Sequence, residues 1–405
     1  MERPVYHPAT PALRLSAGSA SSGRPLVPDQ RTRVLVVDDS YFMQRRLTEI
    51  IQSAADLRVV GYADNGAEAI RLAESLAPDV ITMDINMAKF DGLHAIDYIM
   101  RSNPRPIVII SSYTRQGSRA ALYGLEMGVI DIVEKPSSGG VALDIADCTA
   151  EIISKVRTAA RVRVVRTLRG SVASSAPTPA PAPAANELSS GLPGGAARLL
   201  TPAGGLPGII ALGASTGGPV VLQELLRAVP NEFFPPVIIV QHLPEKFTRE
   251  FAAQLDAVSS LEVMEAQDGQ LLRSGCAYVA PGGRHLEVNS QGCLVVTDAP
   301  PVHHCKPAVD VLFHSLARNF GPRTLAFVLT GMGEDGAAGA LAIRQAGGSV
   351  VAQDEASSVV FGMPAAAIQL GAAHQILSLE NLKLLVKRLA QPAVAVPAGA
   401  AAANC

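Results

Sequence analysis

The stretch Gly208-Ile-Ile-Ala-Leu-Gly-Ala-Ser-Thr-Gly-Gly-Pro219 decides how the larger half of this chain folds. Its apolar run, Ile209 to Leu212, stops at Gly213, Ser215, Gly217 and Gly218. Val220-Val-Leu-Gln-Glu-Leu-Leu-Arg227 then resumes with helical spacing. The pattern predicts a buried strand, a tight glycine turn and a helix, with a serine hydroxyl at the bend. It satisfies Gly-x-Ser-x-Gly, which lifts a serine out at the top of a parallel sheet. The glycines let the backbone bend and leave room for a substrate, and the helix N-terminus offers N–H groups to an anionic oxygen. Alone, the pattern is also met by an ordinary strand-to-helix turn in which Ser215 caps the helix or holds a phosphate.

The downstream sequence narrows the choice. Pro236-Val-Ile-Ile-Val-Gln-His242 reads as a buried strand ending at a histidine. Cys276-Ala-Tyr-Val-Ala-Pro-Gly-Gly283 reads as a strand into a glycine turn. Leu325-Ala-Phe-Val-Leu-Thr-Gly-Met-Gly-Glu-Asp-Gly336 is another, and it carries Asp335. Ser349–Gln353 reads as a further strand after a helix over Ala337–Ala346. Ser215, His242 and Asp335 thus each succeed a separate strand, at the carboxyl ends where sites gather in α/β sheets. Nucleophilic catalysis needs such a set, because serine is inert until a base takes its proton and a carboxylate fixes the base's tautomer. The chain order Ser, His, Asp differs from that of α/β-hydrolases, so the elbow does not make this that fold. Main-chain N–H groups near Thr216 and near Gly331-Met332-Gly333 are candidate oxyanion donors. Among rival histidines, His285 comes after a glycine turn and could line the cleft. His303 and His304 stand beside Cys305 without further ligands at metal-site spacing. His94 and His314 fall in helical segments, and His7 and His374 have no supporting context.

Upstream, Arg33-Val-Leu-Val-Val-Asp-Asp-Ser40 opens an earlier domain, and further strands are read at 58–63, 79–84, 106–112 and 129–136, alternating with helices. This predicts a doubly wound sheet with Asp38, Asp39, Asp84, Ser111 and Lys135 at its carboxyl end. Three gathered carboxylates call for a hard cation, and Mg²⁺ suits all-oxygen ligation that keeps waters and a phosphate oxygen. Phosphoryl transfer to one aspartate is the expected chemistry, with Lys135 and Ser111 placed to hold phosphate oxygens.

The 405 residues allow two domains of ordinary size. Apolar residues form 48% and charged residues 17%, and the formal net charge of −2 argues against a general nucleic-acid or membrane-surface binder. Five dispersed cysteines fit reduced thiols in a cytoplasmic protein. No apolar run approaches the roughly 18 residues of a membrane span, and no signal-peptide pattern is read at the N-terminus. The expected layout is a disordered leader (1–31), a first domain (32–155), a basic helix end with an Ala/Pro/Ser/Gly-rich linker (156–205), a second domain (206–389) and a disordered tail (390–405). The fold class is α/β, with two doubly wound, mainly parallel sheets.

Residues 32–155 resemble the receiver domain of two-component response regulators, a flavodoxin-like fold. The resemblance implies that Asp84 is the phospho-acceptor, that Asp38, Asp39 and Asp84 hold Mg²⁺, and that Ser111 and Lys135 are the switch residues. The loop after the acceptor departs from the usual Met-Pro in reading Met87-Ala88, and Ile132 stands where an aromatic is common. Residues 206–389 resemble the catalytic domain of the chemotaxis protein-glutamate methylesterases. The resemblance rests on Gly-Ala-Ser-Thr-Gly-Gly (213–218), Gln-His-Leu-Pro (241–244), Ala-Pro-Gly-Gly-Arg-His (280–285), Pro-Ala-Val-Asp-Val-Leu-Phe (307–313), Leu-Thr-Gly-Met-Gly-Glu-Asp-Gly (329–336) and Val359-Val-Phe-Gly-Met-Pro364. It implies phosphorylation-activated hydrolysis of glutamyl methyl esters on the cytoplasmic helices of chemoreceptors, releasing methanol, and deamidation of receptor glutamines. Ser215 would be the nucleophile, His242 the base and Asp335 its orienter, with Thr216 and Met332 supporting the site. No cofactor is expected for the ester hydrolysis. A histidine kinase would donate the phosphate, and neither nucleic-acid binding nor membrane insertion is expected. Lys306 stands where the family often has arginine, keeping the charge without the bidentate fork. Three other readings compete: a phosphate-responsive binding module, a transcription regulator, and a general esterase for small substrates. The intact set Ser215, His242 and Asp335 disfavours the first, and the lack of a helix-turn-helix signature or basic bias disfavours the second.

Overall fold

The computed structural model describes residues 30–87, 92–111, 115–135, 142–162, 207–231 and 234–389. Most of the leader, most of the linker, the tail and Ala88 lie outside them. Two parallel sheets organise the chain. The first contains β1 (Thr32–Val37), β2 (Leu57–Ala63), β3 (Val80–Met83), β4 (Ile107–Ser111) and β5 (Asp131–Glu134), in the order β2-β1-β3-β4-β5. Helices α1 (Tyr41–Gln52), α2 (Gly66–Leu76), α3 (Gly92–Ser102), α4 (Arg115–Glu126) and α5 (Ala142–Arg161) connect and cover the strands. Strand β3 is buried along its length and β1 along its last four residues, as expected of parallel strands covered on both faces. The order reverses at β1/β3, so a crevice opens beyond the carboxyl ends of those strands. Asp38 and Asp84 are the first residues past them.

The second sheet is larger. It contains β6 (Ile209–Ala214), β7 (Val237–Gln241), β8 (Glu262–Glu265), β9 (Cys276–Val279), β12 (Thr324–Val328), β13 (Ser349–Gln353) and β14 (Gln375–Leu377). Their order is β14-β13-β12-β6-β7-β9-β8, parallel throughout. A separate antiparallel hairpin, β10 (His285–Val288) with β11 (Leu294–Thr297), stands apart from it. Six helices accompany these strands among the described residues: α6 (Gly218–Arg227), α7 (Thr248–Val258), α8 (Val309–Asn319), α9 (Ala337–Gln345), α10 (Met363–Gln369) and α11 (Leu379–Leu389). Strands β6 and β12 lie side by side although more than 100 residues separate them, because the winding reverses there. The chain after β6 builds one wing and the chain after β12 builds the other. The reversal brings three strand ends together: Ser215 lies past β6, His242 past β7, and Thr330 to Asp335 past β12.

The glycine turn after β6 depends on Gly217. Its φ is +79°, and a Cβ there would lie 2.5 Å from Val359 Cβ, so both conformation and space select glycine. Gly217 is itself the N-cap of α6, without a side-chain capping bond. The plain reading of Ser215 as a cap is therefore not what the turn does.

Candidate active site

The candidate base is built from the backbone outward. His242 N donates to Ala214 O at 3.1 Å, which fixes the end of β7 against the end of β6. The His242 ring then meets Asp335, with Nε2 2.8 Å from Oδ2. Asp335 is buried, and the N-terminus of α8 holds it. Val309 N donates to Oδ2 at 2.6 Å and Asp310 N to Oδ1 at 2.9 Å. A carboxylate receiving free N–H groups at a helix N-terminus is stabilised as the anion. Burial alone would raise the Asp335 carboxyl, but His242 and these donors hold it below the usual carboxylate range. Burial alone would lower the His242 imidazole. Cys305 and Asp335 outweigh it and push the imidazole up to about 10. Below that pH both ring nitrogens hold protons; in the neutral ring the Nε2–H stays on Asp335 and Nδ1 offers the lone pair. Cys305 Sγ lies 3.5 Å from it.

Ser215, nearly buried, follows Ala214, whose carbonyl accepts from His242 N. Its N–H donates to Thr330 O at 3.0 Å, and its carbonyl accepts from Gln241 Nε2 at 2.9 Å and from Gly218 N at 2.8 Å. Among the described residues no hydrogen bond joins Ser215 Oγ to His242. Gly331 lies so close that a Cβ on it would come 2.8 Å from Ser215 Cβ. The N–H groups of Thr216 and Met332 have no acceptor among the described residues, whereas Gly331 N is spent on Val360 O at 3.0 Å. Thr216 N adjoins Ser215 in the chain and Met332 N follows the Gly331 that packs on Ser215, so both are candidate donors for the oxyanion that acyl transfer requires.

The first sheet covers this site. Thr216 Oγ1 donates to Asp131 Oδ2 at 2.5 Å, at the start of β5. Asp131 is held in turn by Lys155 Nζ at 2.9 Å, from α5. Burial would lower the Lys155 ammonium, but Asp131 and Glu151 raise it. Ser154 Oγ, one residue before Lys155, lies 3.4 Å from Met332 Sδ. Thr158 Oγ1 contacts the same sulfur. Gln223 of α6 donates to Glu126 of α4 at 3.0 Å.

At the other end of β5, Lys135 Nζ lies 2.6 Å from both Asp38 Oδ2 and Asp84 Oδ2. Burial would lower Lys135, but the two carboxylates hold it above its ordinary value. Asp38 is raised by burial against the pull of Lys135. Lys135 N donates to Ser111 O at 2.9 Å, so both switch candidates stand at this edge. Oxygen atoms of Asp38, Asp39 and Asp84 lie within 4.8 Å of one another. Three carboxylates, two of them bonded to the Lys135 ammonium, fit a small hard dication, which takes oxygen donors.

A family model described as CheB methylesterase matches residues 210–386, and one described as response regulator receiver domain matches 34–145. A protein-glutamate methylesterase/protein-glutamine glutaminase of Pseudomonas aeruginosa is 45% identical over 86% of this chain and 94% of its own length. The chain belongs to the CheB family. A Salmonella typhi protein of the same name is 40% identical over 90% of this chain and 99% of its own. The crystal structure of the Thermotoga maritima CheB methylesterase catalytic domain is 36% identical, covering 45% of this chain and 98% of that domain, with a TM-score of 0.44.

Several site residues of this CheB-family chain escape a reading of the sequence. The sequence sets Cys305 only beside His303 and His304, whereas the fold brings it to His242. Asp131, Ser154 and Thr158 carry no motif, because their partners lie 85 residues or more away. The rival histidines have structural work. His285 is buried between Pro300 O at 3.0 Å and Ala308 N at 3.2 Å. His303 meets Asp310 at 3.0 Å. His374 Nδ1 accepts from Val350 N at 3.1 Å. Lys306 is paired with Asp298 at 2.5 Å on the surface.

Proposed function

We propose that the chain demethylates glutamyl methyl esters, and deamidates glutamines, on the cytoplasmic helices of chemoreceptors, under the control of receiver phosphorylation. The observation that carries this reading is the Asp335–His242 pair beside Ser215, with Thr216 and Met332 capped by the receiver. Ser215 Oγ attacks the side-chain carbonyl carbon while His242 Nδ1 takes the hydroxyl proton. Asp335 keeps the Nε2–H tautomer and stabilises the imidazolium that forms. The N–H groups of Thr216 and Met332 hold the oxyanion. Collapse expels methanol, or ammonia from a glutamine, protonated by His242. Water, deprotonated by the same nitrogen, then cleaves the acyl-serine and restores Ser215.

In the receiver, Asp84 accepts the phosphoryl group, and Asp38, Asp39 and Asp84 would hold Mg²⁺. The ion would neutralise charge on the transferring group. Once Asp84 is phosphorylated, Lys135 Nζ and the Ser111 hydroxyl bind the new oxygens. Lys135 lies just past β5 and Asp131 begins it, about 13 Å away at roughly 3.3 Å per residue. Pulling one end of β5 displaces the carboxylate that holds Thr216. The receiver therefore blocks the site in its resting state, and phosphorylation releases it. The kinase phosphodonor and the receptor helices would both be met in the cytoplasm. No described helix is long and apolar enough to cross a membrane.

The test is methanol release from methylated chemoreceptor, with and without a small phosphodonor and Mg²⁺. Wild type should respond to the phosphodonor, and Ser215→Ala should lose about 10⁴-fold or more in rate. Release persisting in Ser215→Ala would overturn the assignment of the nucleophile.

A further inference from the structure

We propose that Cys305 Sγ and His242 Nδ1 are the protein ligands of a zinc site that shuts the hydrolase; its inhibitory consequence rests on reading His242 as the base. His242, Cys305 and Asp335 offer ligand atoms within 4.8 Å of one another. The distance between Sγ and Nδ1, 3.5 Å, is that of a sulfur–nitrogen hydrogen bond and also suits two donors sharing one ion. With Zn–S of about 2.3 Å, Zn–N of about 2.0–2.1 Å and a tetrahedral angle, the two donors of one ion stand about 3.5 Å apart. The pair is already at that bite.

The surroundings complete the case. Asp335 receives the opposite ring nitrogen at 2.8 Å. A carboxylate on the far nitrogen fixes the tautomer and raises the basicity of a metal-binding histidine. That carboxylate is anchored by Val309 N and Asp310 N, so the ring cannot turn Nδ1 away without breaking a buried array. Cys305 is aimed by a two-residue turn. Val302 and Cys305 pair through backbone bonds of 3.1 and 2.8 Å. His303 and His304 span the turn with φ of 51° and 59°. Such positions are usually glycine or asparagine, and the turn delivers the thiol onto the imidazole.

Cys305 is only half-buried, so an ion can arrive from solvent and keep water in its remaining positions. Nitrogen and thiolate donors select zinc over magnesium, so the ion serving the receiver does not compete here. Binding releases to solvent the protons that Cys305 and His242 Nδ1 hold and involves no redox change. The ion takes the same Nδ1 lone pair that must remove the Ser215 proton. Zinc binding and catalysis are mutually exclusive.

The test uses the full chain with cobalt(II) chloride and zinc sulfate. Cobalt should give a near-ultraviolet thiolate-to-metal charge-transfer band in wild type, in Ser215→Ala and in Cys293→Ala, and none in Cys305→Ala or Cys305→Ser. In the methanol assay, zinc should inhibit wild type, and the half-inhibiting concentration should rise at least about tenfold in both Cys305 variants. Absence of the band in wild type, its survival in the Cys305 variants, or equal zinc sensitivity in all proteins would overturn the proposal. The band needs no turnover. A Cys305-dependent band in a protein without esterase activity would keep the site and sink the hydrolase reading. An active esterase without the band would do the reverse.

Discussion

The contact between Asp131 and Thr216 should set how tightly the resting enzyme is closed. Both side chains are nearly inaccessible, at 6% and 3% exposure, so the carboxylate–hydroxyl bond is made away from competing water. Hydrogen bonds to charged groups contribute about 1.5–3 kcal/mol net. In the open state both groups regain water, and Asp131 keeps Lys155, which argues for the lower end of that range. At roughly 1.4 kcal/mol per factor of ten, Asp131→Ala should shift the closed-to-open ratio by about tenfold. Basal methanol release should therefore rise about tenfold, with the fully phosphorylated rate as its ceiling. The stimulation by phosphodonor should shrink by the same factor. Lys155 retains Glu151 at 3.2 Å and the Ile132 carbonyl at 2.9 Å, so the receiver itself should stay folded. A thermal unfolding curve for the receiver checks that. Gln223→Met, which removes only the bond to Glu126, should raise basal release less. A folded Asp131→Ala protein with wild-type basal rate and wild-type stimulation would refute the argument that this bond holds the gate.

Asp84→Asn should leave basal release near wild type and abolish the response to phosphodonor and Mg²⁺, read by the same assay. Cys305 leads the contributions that raise His242, so Cys305→Ala should lower the pKa of the base. A base works in its neutral form, so the ascending limb of kcat/KM should move to lower pH, and a limb that stays put would refute that cause. Gly217→Ala forces a side chain into a left-handed conformation against Val359. That costs roughly 1–2 kcal/mol from the conformation alone, so Tm should fall and kcat should fall with it as the Ser215 turn is displaced.

The strand ends of both sheets were legible because buried parallel strands read as continuous apolar runs that stop at polar residues. Ile209–Leu212, Pro236–Gln241 and Leu325–Leu329 each announced the residue that the fold brings to the site. Elements without such a run were missed. Strand β14 has only three residues with a half-exposed isoleucine, and β8 begins on an exposed glutamate. The hairpin of β10 and β11 lies outside the main sheet, where strand alternation with helices gives no cue. The same limit applied to the site. Ser215, His242 and Asp335 sit at predictable places on predictable strands. Cys305 is placed by a histidine-histidine turn that no propensity favours. Asp131 and Ser154 matter only because two separately legible domains meet there.

On the proposed reading, that meeting lets regulation act on Thr216 and Met332 while His242 and Asp335 stay bonded. Asp335 is tied to α8 by two backbone donors and to His242 by a third bond, all inside one domain. Disturbing that array for every switching event would expose a buried carboxylate, whose desolvation is compensated only while its donors are in place. Thr216 and Met332 instead offer their side chains to Asp131, Ser154 and Thr158 of the receiver, while their N–H groups have no acceptor among the described residues. The receiver can grip those side chains and occupy the approach to the N–H groups without breaking any bond of the catalytic array. Release then requires only that β5 and α5 move together, and Lys155 joins them by bonding Asp131 at one end of β5 from the same helix that carries Ser154 and Thr158. Lys135 stands at the opposite end of that strand, against the two carboxylates whose charge phosphorylation changes. On this reading the route from Asp84 to Ser215 runs along one strand, β5, and the hydrolase half stays preorganised while it opens.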